Sequence, residues 1–237
     1  MKTQLAIVTA LAGLFAAGSA NAMIIDDFEV SQSAIYLTGP APKTSFDNMQ
    51  SGAAANILGG FRKTDVDLYA GNDAADVNVR VVAGVLDIND SVSAATQVML
   101  TWDANSFGLG NLDLYAGGAT GIYLAFPTAM DHALSLAFDI TDVGTSTTAS
   151  SAITFPAGAQ GSDFFFSFSN FTNVAALSSA DSIRMTINST TPGLDANLDL
   201  IETRDAPPNS VPEPGSISLL GLGLIGMRAM RRKIKGQ

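Results

Sequence analysis

The sequence contains no cysteine, one histidine and one tryptophan among its 237 residues. The absence of cysteine excludes disulfide bonds, a lipoprotein anchor and a thiol nucleophile. Zinc sites need several His or Cys ligands, which a lone His132 cannot supply. We predict that His132 lies on a loop, and no G-x-S-x-G motif accompanies it. A carboxylate pair of the kind that glycan-active enzymes use remains open, because a sandwich with 21 acidic residues brings such pairs within reach of each other. Since the other catalytic groups are missing, we predict that the chain is not an enzyme.

Basic residues are also scarce in the central part of the chain. Residues 23–206 hold 21 acidic and six basic side chains, a formal net charge near −15. Such a surface repels nucleic acid and anionic lipid. It suits a secreted soluble protein or one that binds divalent cations, and we predict no nucleic-acid partner.

Sustained helical periodicity is missing between residues 23 and 206. Short runs rich in Val, Ile, Leu, Phe and Tyr recur instead, and several alternate with period two, as half-buried strands do. The pattern predicts an all-β domain, an antiparallel β-sandwich, with a short helix near "TNVAALSSAD". The pentapeptide "DLYAG" occurs at 67–71 and 113–117, and each copy predicts a strand end followed by a turn. The ten runs are "MIIDDFEV", "VNVRVVAG", "VLDIND", "TQVMLTWD", "GIYLAF", "ALSLAFDIT", "SAITF", "DFFFSFS", "SIRMTIN" and "NLDLIE".

The first 22 residues have the pattern of a secretory signal peptide. Lys2 provides the positive start, an apolar run of about 13 residues follows, and Ala20 and Ala22 fit an A-x-A cleavage site. That run is too short to span a membrane comfortably. We therefore expect residues 1–22 to be removed by the secretion machinery and the β-domain to occupy residues 23–206.

The end of the chain combines three different segments. Residues 207–214 form a proline-rich linker, and residues 215–237 contain an apolar run from Ile217 to Met227 followed by basic residues. As a helix the apolar run would measure only about 16 Å, roughly half of the ~30 Å hydrocarbon core. We predict a short C-terminal hydrophobic helix that anchors the protein transiently in the inner membrane, with its basic end on the cytoplasmic side. The basic cluster comprises Arg228, Arg231, Arg232, Lys233 and Lys235.

The ordered triple of V-P-E-P, a Gly/Leu-rich span and a basic cluster resembles the PEP-CTERM sorting signal. The motif residues are Val211, Pro212, Glu213 and Pro214. The resemblance implies processing of the tail by exosortase, an integral-membrane transpeptidase. It also implies a surface or extracellular protein of a Gram-negative bacterium that makes exopolysaccharide. The motif residues would then be recognised by exosortase and would have no catalytic role in this chain.

Acidic residues lie near both ends of the predicted domain. If the first and last strands pair, Asp27 and Glu29 approach Asp199 and Glu202, and oxygen ligands of this kind suit a structural calcium ion. The opening "IDDFE" and closing "LDLIE" loosely resemble galactose-binding, jelly-roll carbohydrate-binding modules, in which such residues often hold calcium. Strand alternation argues against Glu29 as a buried ligand, because Phe28 should face the core.

Exposed aromatic side chains are the usual platforms for sugars. The candidates are Tyr36, Tyr69, Trp102, Tyr115 and Tyr123, of which we select Tyr69, Trp102 and Tyr115. Trp102 is expected at a strand end near the rim, although core packing fits it equally well. The leading hypothesis is an exosortase-processed, non-enzymatic surface or matrix protein that binds exopolysaccharide. A calcium-stabilised carbohydrate-binding module and a glycan-active enzyme are the alternatives.

Overall fold

A computed structural model describes residues 22–128, 132–155, 164–189 and 191–206. These residues form fourteen strands and a few single-turn 3-10 helices. The strands are β1 (Met23–Asp26), β2 (Gln32–Thr38), β3 (Lys43–Ser51), β4 (Phe61–Ala70), β5 (Asp76–Val82), β6 (Val85–Asp90), β7 (Ala95–Trp102), β8 (Gly121–Ala125), β9 (Leu134–Asp142), β10 (Thr147–Phe155), β11 (Phe164–Ser167), β12 (Ser182–Ser189), β13 (Asp195–Leu198) and β14 (Leu200–Arg204).

Antiparallel pairing arranges the strands in three sheets. The largest sheet has six strands in the order β10-β9-β12-β7-β4-β3. The two four-stranded sheets have the orders β1-β14-β8-β11 and β13-β6-β5-β2. Only Asp199 separates β13 from β14, so one nearly continuous stretch of chain runs through both smaller sheets.

The core lies between the six-stranded sheet and the two smaller sheets. Leu134, Leu136, Phe138 and Ile140 of β9 are all fully buried, whereas the residues between them are only partly buried. Phe138 meets Phe166 of the opposite layer edge to face, with ring centroids 5.0 Å apart. Alternation with period two therefore gives each layer one apolar face, and the two faces pack together.

The structure confirms the all-β antiparallel sandwich, and each of the ten predicted runs contributes to a strand. Val77, Val79 and Val81 are buried on one side of β5, as their spacing predicted. The short helix expected near residue 174 is a 3-10 helix, Val174–Ser178. His132 lies between β8 and β9, outside any strand, as predicted.

The two "DLYAG" copies adopt different conformations. Residues 67–70 end β4 and Gly71 begins the following turn, as the sequence predicted. Residues 113–117 form a turn that leads into a 3-10 helix. The prediction for the second copy is therefore wrong, and the pairing partners of each segment decide its conformation.

The chain divides into two units, Met1–Asp205 and Ala206–Gln237. The cleavage-site residue Ala20, the linker after Ala206, the hydrophobic helix and the basic cluster lie outside the described residues, while Ala22 is the first of them and is exposed. Within the described part of the chain, no helix has the length and apolar character needed to cross a membrane.

Candidate functional site

A cleft of about 520 Å³ opens at one end of the six-stranded sheet, and we call it the end cleft. Three segments form it: the loop after β7, the turn between β9 and β10, and the residues that begin β12. Its lining residues are Asp103, Ser106, Phe107, Gly108, Asn111, Val143, Gly144, Asp181 and Ser182.

The loop after β7 has an unusual backbone conformation. Ala104, Asn105 and Ser106 have φ values of 51°, 58° and 69°, in the left-handed region. This region costs L-residues other than glycine about 1–2 kcal/mol each. Asp103 holds the loop closed, because its side chain accepts a hydrogen bond from the Ser106 amide at 3.0 Å and its carbonyl accepts one from Gly108 at 2.9 Å. Strained backbone of this kind is found preferentially at functional sites.

The carboxylate of Asp181 joins the segments of the end cleft. Its two oxygens accept hydrogen bonds from the backbone amides of Asn111 at 3.3 Å and Val143 at 3.0 Å. Its backbone carbonyl accepts another from Leu109 at 2.8 Å. Gly108, with φ +82°, fits against this side chain, since a Cβ atom there would lie 3.4 Å from Asp181 Oδ1. The loop and the turn are therefore fixed to one residue at the start of β12.

The turn between β9 and β10 is rigid for a similar reason. The Asp142 carboxylate accepts hydrogen bonds from the Thr145 hydroxyl at 2.8 Å and from the Thr145 amide at 3.1 Å. These bonds, above all the one from the hydroxyl, lower the pKa of Asp142 below its ordinary value. The turn thus presents Val143 to solvent in a defined position.

Phe107 projects from this framework with 89% of its surface exposed, and Val143 is 67% exposed. The end cleft therefore places the apolar face of a ring beside carboxylate, amide and hydroxyl groups that can form hydrogen bonds. The apolar face of a pyranose ring could pack on Phe107 while its hydroxyls reach Asp103, Asn111 or Ser106. The end cleft can therefore hold a hydroxyl-rich ligand without any covalent chemistry.

Trp102 lies directly before this loop, but its indole is fully buried. The indole nitrogen donates a hydrogen bond to Asp26 Oδ2 at 2.9 Å. The prediction that Trp102 lies at the rim as a sugar platform is wrong, because its polar atom has an internal partner and its ring fills the core. Trp102 instead anchors the start of the loop that carries Phe107.

The partner of Trp102 belongs to a buried ion pair. Arg62 Nη1 donates to both oxygens of Asp26, at 2.9 and 3.0 Å, and both side chains are fully buried. The amide of Phe28 also donates to Asp26, and the Arg62 guanidinium lies 5.3 Å from the centroid of the Phe28 ring. Burial raises the pKa of the Asp26 carboxyl, while the charge of Arg62 and the hydrogen bonds oppose that shift.

Tyr69 and Tyr115, the other predicted platforms, are not part of the end cleft. Tyr69 is 43% exposed, and its hydroxyl donates a hydrogen bond to the carbonyl of Ser189. Partial burial and the nearby charge of Asp90 raise the pKa of Tyr69. Tyr115 is 38% exposed, packs edge to face on Phe168 and lines a different, more apolar cleft. The structure therefore does not bring the predicted aromatic residues together.

The first and last strands do pair, since Ile24 of β1 lies opposite Glu202 of β14. As predicted, Phe28 is buried, whereas Glu29 is exposed. Among the described residues, however, no group of three or more His, Cys, Asp or Glu side chains could hold a metal ion. Asp27 accepts hydrogen bonds from Asn56 and from the Glu29 amide, and Glu202 lies beside Arg204. The set of Asp27, Glu29, Asp199 and Glu202 is therefore not assembled as a calcium site.

Phe107 is the residue that the sequence-based prediction missed. It is the single aromatic residue in the stretch "DANSFGLGN", which is rich in turn-forming residues. An aromatic side chain surrounded by Asp, Asn, Ser and Gly lies in a turn and not on the alternating face of a strand. This pattern could have indicated an exposed position.

The fold is an all-β antiparallel sandwich with open clefts on its surface. Residues 210–233 match the family model of the PEP-CTERM protein-sorting motif. The chain therefore carries a PEP-CTERM sorting motif, as the sequence predicted, and this motif indicates export to the cell surface or the extracellular space. No curated protein sequence matches the chain significantly.

Several solved structures are similar to the β-domain at low identity. The family 11 carbohydrate-binding module of the cellulosomal cellulase Lic26A-Cel5E of Clostridium thermocellum is 11% identical, with 78% of this chain and 95% of that chain covered and a TM-score of 0.41. The agarase AgWH50C is 13% identical over 78% of this chain and 25% of that chain, with a TM-score of 0.39. The carbohydrate-binding module CBM4 is 11% identical over 67% of this chain and 96% of that chain, with a TM-score of 0.34.

Proposed function

We propose that this chain is an exported, non-enzymatic surface or matrix protein that binds exopolysaccharide through the end cleft. Exosortase processes its PEP-CTERM tail, and its producer is a Gram-negative bacterium that makes exopolysaccharide. The inner membrane holds the chain only until the tail is processed.

The exposed ring of Phe107 is the observation that carries this proposal. Leaving a large apolar side chain 89% exposed on a strained loop gives the domain no folding benefit. A ligand that covers the ring would gain from its burial, and Asp103, Asn111 and Asp181 would orient the ligand by hydrogen bonds. Sugar rings combine these two needs, since they have apolar C–H faces and hydroxyl edges.

The charge of the domain favours an uncharged polysaccharide. The end cleft is lined by two carboxylates and by no basic side chain among the described residues. The 21 acidic and six basic residues of 23–206 would also repel a uronic-acid polymer or a nucleic acid.

The carboxylates of the end cleft have structural roles that do not suit acid–base catalysis. Both oxygens of Asp181 accept backbone hydrogen bonds, and one oxygen of Asp103 does so. These bonds use both carboxylates to hold the loop and the turn of the end cleft in place. A non-enzymatic role therefore fits the cleft better than glycoside hydrolysis.

Affinity electrophoresis of the exported protein in gels that contain dextran, xylan, mixed-linkage β-glucan or alginate tests the proposal. We expect retardation by at least one neutral polysaccharide and none by alginate. Phe107→Ala should weaken that binding at least tenfold, equal to about 1.4 kcal/mol. Val92→Ala is the matched control, since Val92 is 92% exposed outside the end cleft. Binding that Phe107→Ala leaves unchanged, or release of reducing sugar by the protein, would contradict the proposal.

Mass spectrometry of the exported protein tests the processing step. We expect the mature chain to lack the basic cluster and its last residue, Gln237. Replacing Pro212, Glu213 and Pro214 by alanine should leave the intact tail on the chain. An intact C-terminus on the extracellular wild-type protein would exclude processing by exosortase.

A further inference from the structure

A second cleft, of about 370 Å³, lies between the edges of two different sheets. We call it the edge cleft. β2 is the edge strand of one four-stranded sheet and β3 is the edge strand of the six-stranded sheet, and the cleft separates them. It is lined by Gln32, Ser33, Ala34, Ile35, Tyr36, Ser45, Asn48, Met49 and Gln50, so it shares no lining residue with the end cleft.

Gln32 lines the edge cleft, and only the oxygen of its side-chain amide has hydrogen-bond partners among the described residues. Only 8% of Gln32 is exposed, and its Oε1 accepts hydrogen bonds from Arg62 Nε at 3.3 Å and Thr64 Oγ1 at 2.9 Å. Its Nε2 is buried and has no hydrogen-bond partner among the described residues. An unsatisfied buried donor costs about 1–3 kcal/mol, so such groups are rare without a reason.

The buried ion pair fixes which way this amide points. Arg62 is held by Asp26 and also donates from Nη2 to the carbonyl of Val30 at 2.9 Å. Because Arg62 and Thr64 both donate to the same atom of Gln32, a flipped amide would place its NH₂ group against the guanidinium. The network therefore keeps Oε1 with Arg62 and Thr64 and leaves the buried NH₂ group as the unpartnered donor of a residue that lines the edge cleft.

The other lining side chains have the chemistry of a neutral site. Asn48 and Gln50 contribute amides, of which Asn48 donates to Ser45 and to the Thr64 carbonyl. Ser33 and Ser45 contribute hydroxyls, and the Tyr36 phenol is the single ionisable group among the lining side chains that the structure describes. Tyr36 is 62% exposed on β2, and Met49 is 42% exposed on β3. Amides that both donate and accept match hydroxyls that do the same, and an exposed ring beside them matches a sugar face.

The edges themselves are poorly suited to pairing with another strand. The register of β3 with β4 is interrupted between Ser45 and Asn48, and that of β2 with β5 between Gln32 and Ile35. Bulges of this kind twist an edge and hinder strand addition. A sugar chain needs no regular strand edge, so it fits the edge cleft better than an extended peptide does.

We infer that the edge cleft is a second, independent site for a neutral, hydroxyl-rich glycan, with Gln32 Nε2 as its buried donor and Tyr36 as its platform. The choice of ligand class rests on the proposed function, whereas the site rests on its own residues. Two strand spacings separate β3 from β7 and three separate it from β12, so the two clefts lie about 10–14 Å apart across the sheet. Two sites allow the protein to hold two segments of polysaccharide and to bridge chains.

Side-chain amide NMR of the exported protein tests the inference with cello-, xylo-, malto- and laminari-hexaose as probes. The Phe107→Ala background removes the end cleft. There we expect at least one probe to shift the Gln32 NH₂ resonances together with those of Asn48 or Gln50. Tyr36→Ala should weaken this binding about tenfold, and Tyr69→Phe is the control, because it changes an exposed phenol outside the cleft.

Gln32→Glu replaces the donor by an acceptor and keeps an oxygen for Arg62 and Thr64. It should abolish binding at the edge cleft, and thermal unfolding checks that the variant is folded. If Gln32→Glu does not fold, Tyr36→Ala alone tests binding at the edge cleft.

Four outcomes separate this inference from the proposed function. Binding that only Phe107→Ala removes overturns the inference and leaves the proposed function standing. Binding that only Tyr36→Ala and Gln32→Glu remove supports the inference and overturns the proposal that the end cleft binds polysaccharide. Partial loss in each variant, with a complete loss when Phe107→Ala and Tyr36→Ala are combined, supports both. Failure of every probe, or broadening of β2 and β3 signals that grows with protein concentration alone, overturns the inference.

Discussion

The end cleft and the edge cleft expose an aromatic ring beside polar groups, and they do so with different parts of the fold. In the end cleft, loop residues with positive φ hold Phe107 in solvent, and Asp181 fixes the loop by backbone hydrogen bonds. In the edge cleft, side chains on two bulged edge strands provide the groups, and a buried ion pair orients Gln32. The first site depends on backbone conformation, and the second depends on a polar network inside the core.

One hydrogen-bond network connects residues at both clefts. Arg62 donates to Gln32 in the edge cleft, while Asp26 accepts from Trp102, the residue before the loop of the end cleft. A change in the Asp26–Arg62 pair should therefore disturb both clefts, whereas a change in either cleft alone should leave the other intact.

Breaking the buried ion pair should have the largest effect. Asp26→Ala leaves the Arg62 guanidinium buried without its counter-charge, which typically costs about 3–5 kcal/mol. We expect urea unfolding to show a loss of that size and both clefts to lose binding together. The double variant Asp26→Leu/Arg62→Met removes both charges and should recover much of the stability. A double variant as unstable as Asp26→Ala alone would show that packing, and not the unpaired charge, causes the loss.

Asp142 should have a smaller effect, limited to the end cleft and dependent on pH. Its pKa is lowered in the folded protein, so its contribution to stability is present above the ordinary value near 3.8. That contribution is lost as the pH falls through the lower folded pKa. We expect Asp142→Ala to be less stable than wild type at pH 6 and the difference to shrink towards pH 2, as measured by chemical unfolding at each pH. A difference that stays constant with pH would contradict this account.

Relieving the strain at Ala104 should have an effect of about 1 kcal/mol or less. Gly adopts the observed φ of 51° without steric cost, so the substitution removes about 1–2 kcal/mol of backbone strain from the folded state. The greater freedom of Gly in the unfolded chain cancels about 0.5–1 kcal/mol of that gain. We expect Ala104→Gly to be slightly stabilising and to weaken binding at the end cleft, because the loop gains freedom.

Ala83→Gly is the control for Ala104→Gly. Ala83 has a φ of 52° in the turn between β5 and β6, outside the lining of either cleft. It should gain similar stability in thermal unfolding and leave glycan binding unchanged. Equal loss of binding in both variants would show that backbone strain at the end cleft has no part in recognition.

The sequence allowed the sandwich to be predicted because its core strands alternate clearly. The ten predicted runs do not include β2, β3 and β4. β4 contains Arg62, Lys63, Asp65 and Asp67, which conceal its alternation, and Arg62 faces the core only because Asp26 pairs with it. Such a long-range ion pair has no local signal in the sequence.

The site was predicted less well than the fold for a related reason. Trp102 and Phe107 lie five residues apart, and the prediction chose the tryptophan as the platform. Their exposure is decided by the partner that each finds: Trp102 meets Asp26 in the core, whereas Phe107 follows three residues of left-handed backbone that direct it outward. Both rings lie near the end of β7, and tertiary contacts decide which of them is exposed to a ligand.

Calcium should have the smallest effect on both clefts. Asp27 and Glu202 already have protein partners, and no described group of three carboxylates converges on one point. We therefore expect the thermal midpoint to be the same with calcium as with EDTA, and glycan binding to be equal in both. For a domain of this size, a rise above about 4 °C with calcium would correspond to about 1–2 kcal/mol of stabilisation. If Asp199→Asn abolished such a rise, the hypothesis of a calcium site between the first and last strands would stand again. The metal would then stabilise the clefts together with the polar network.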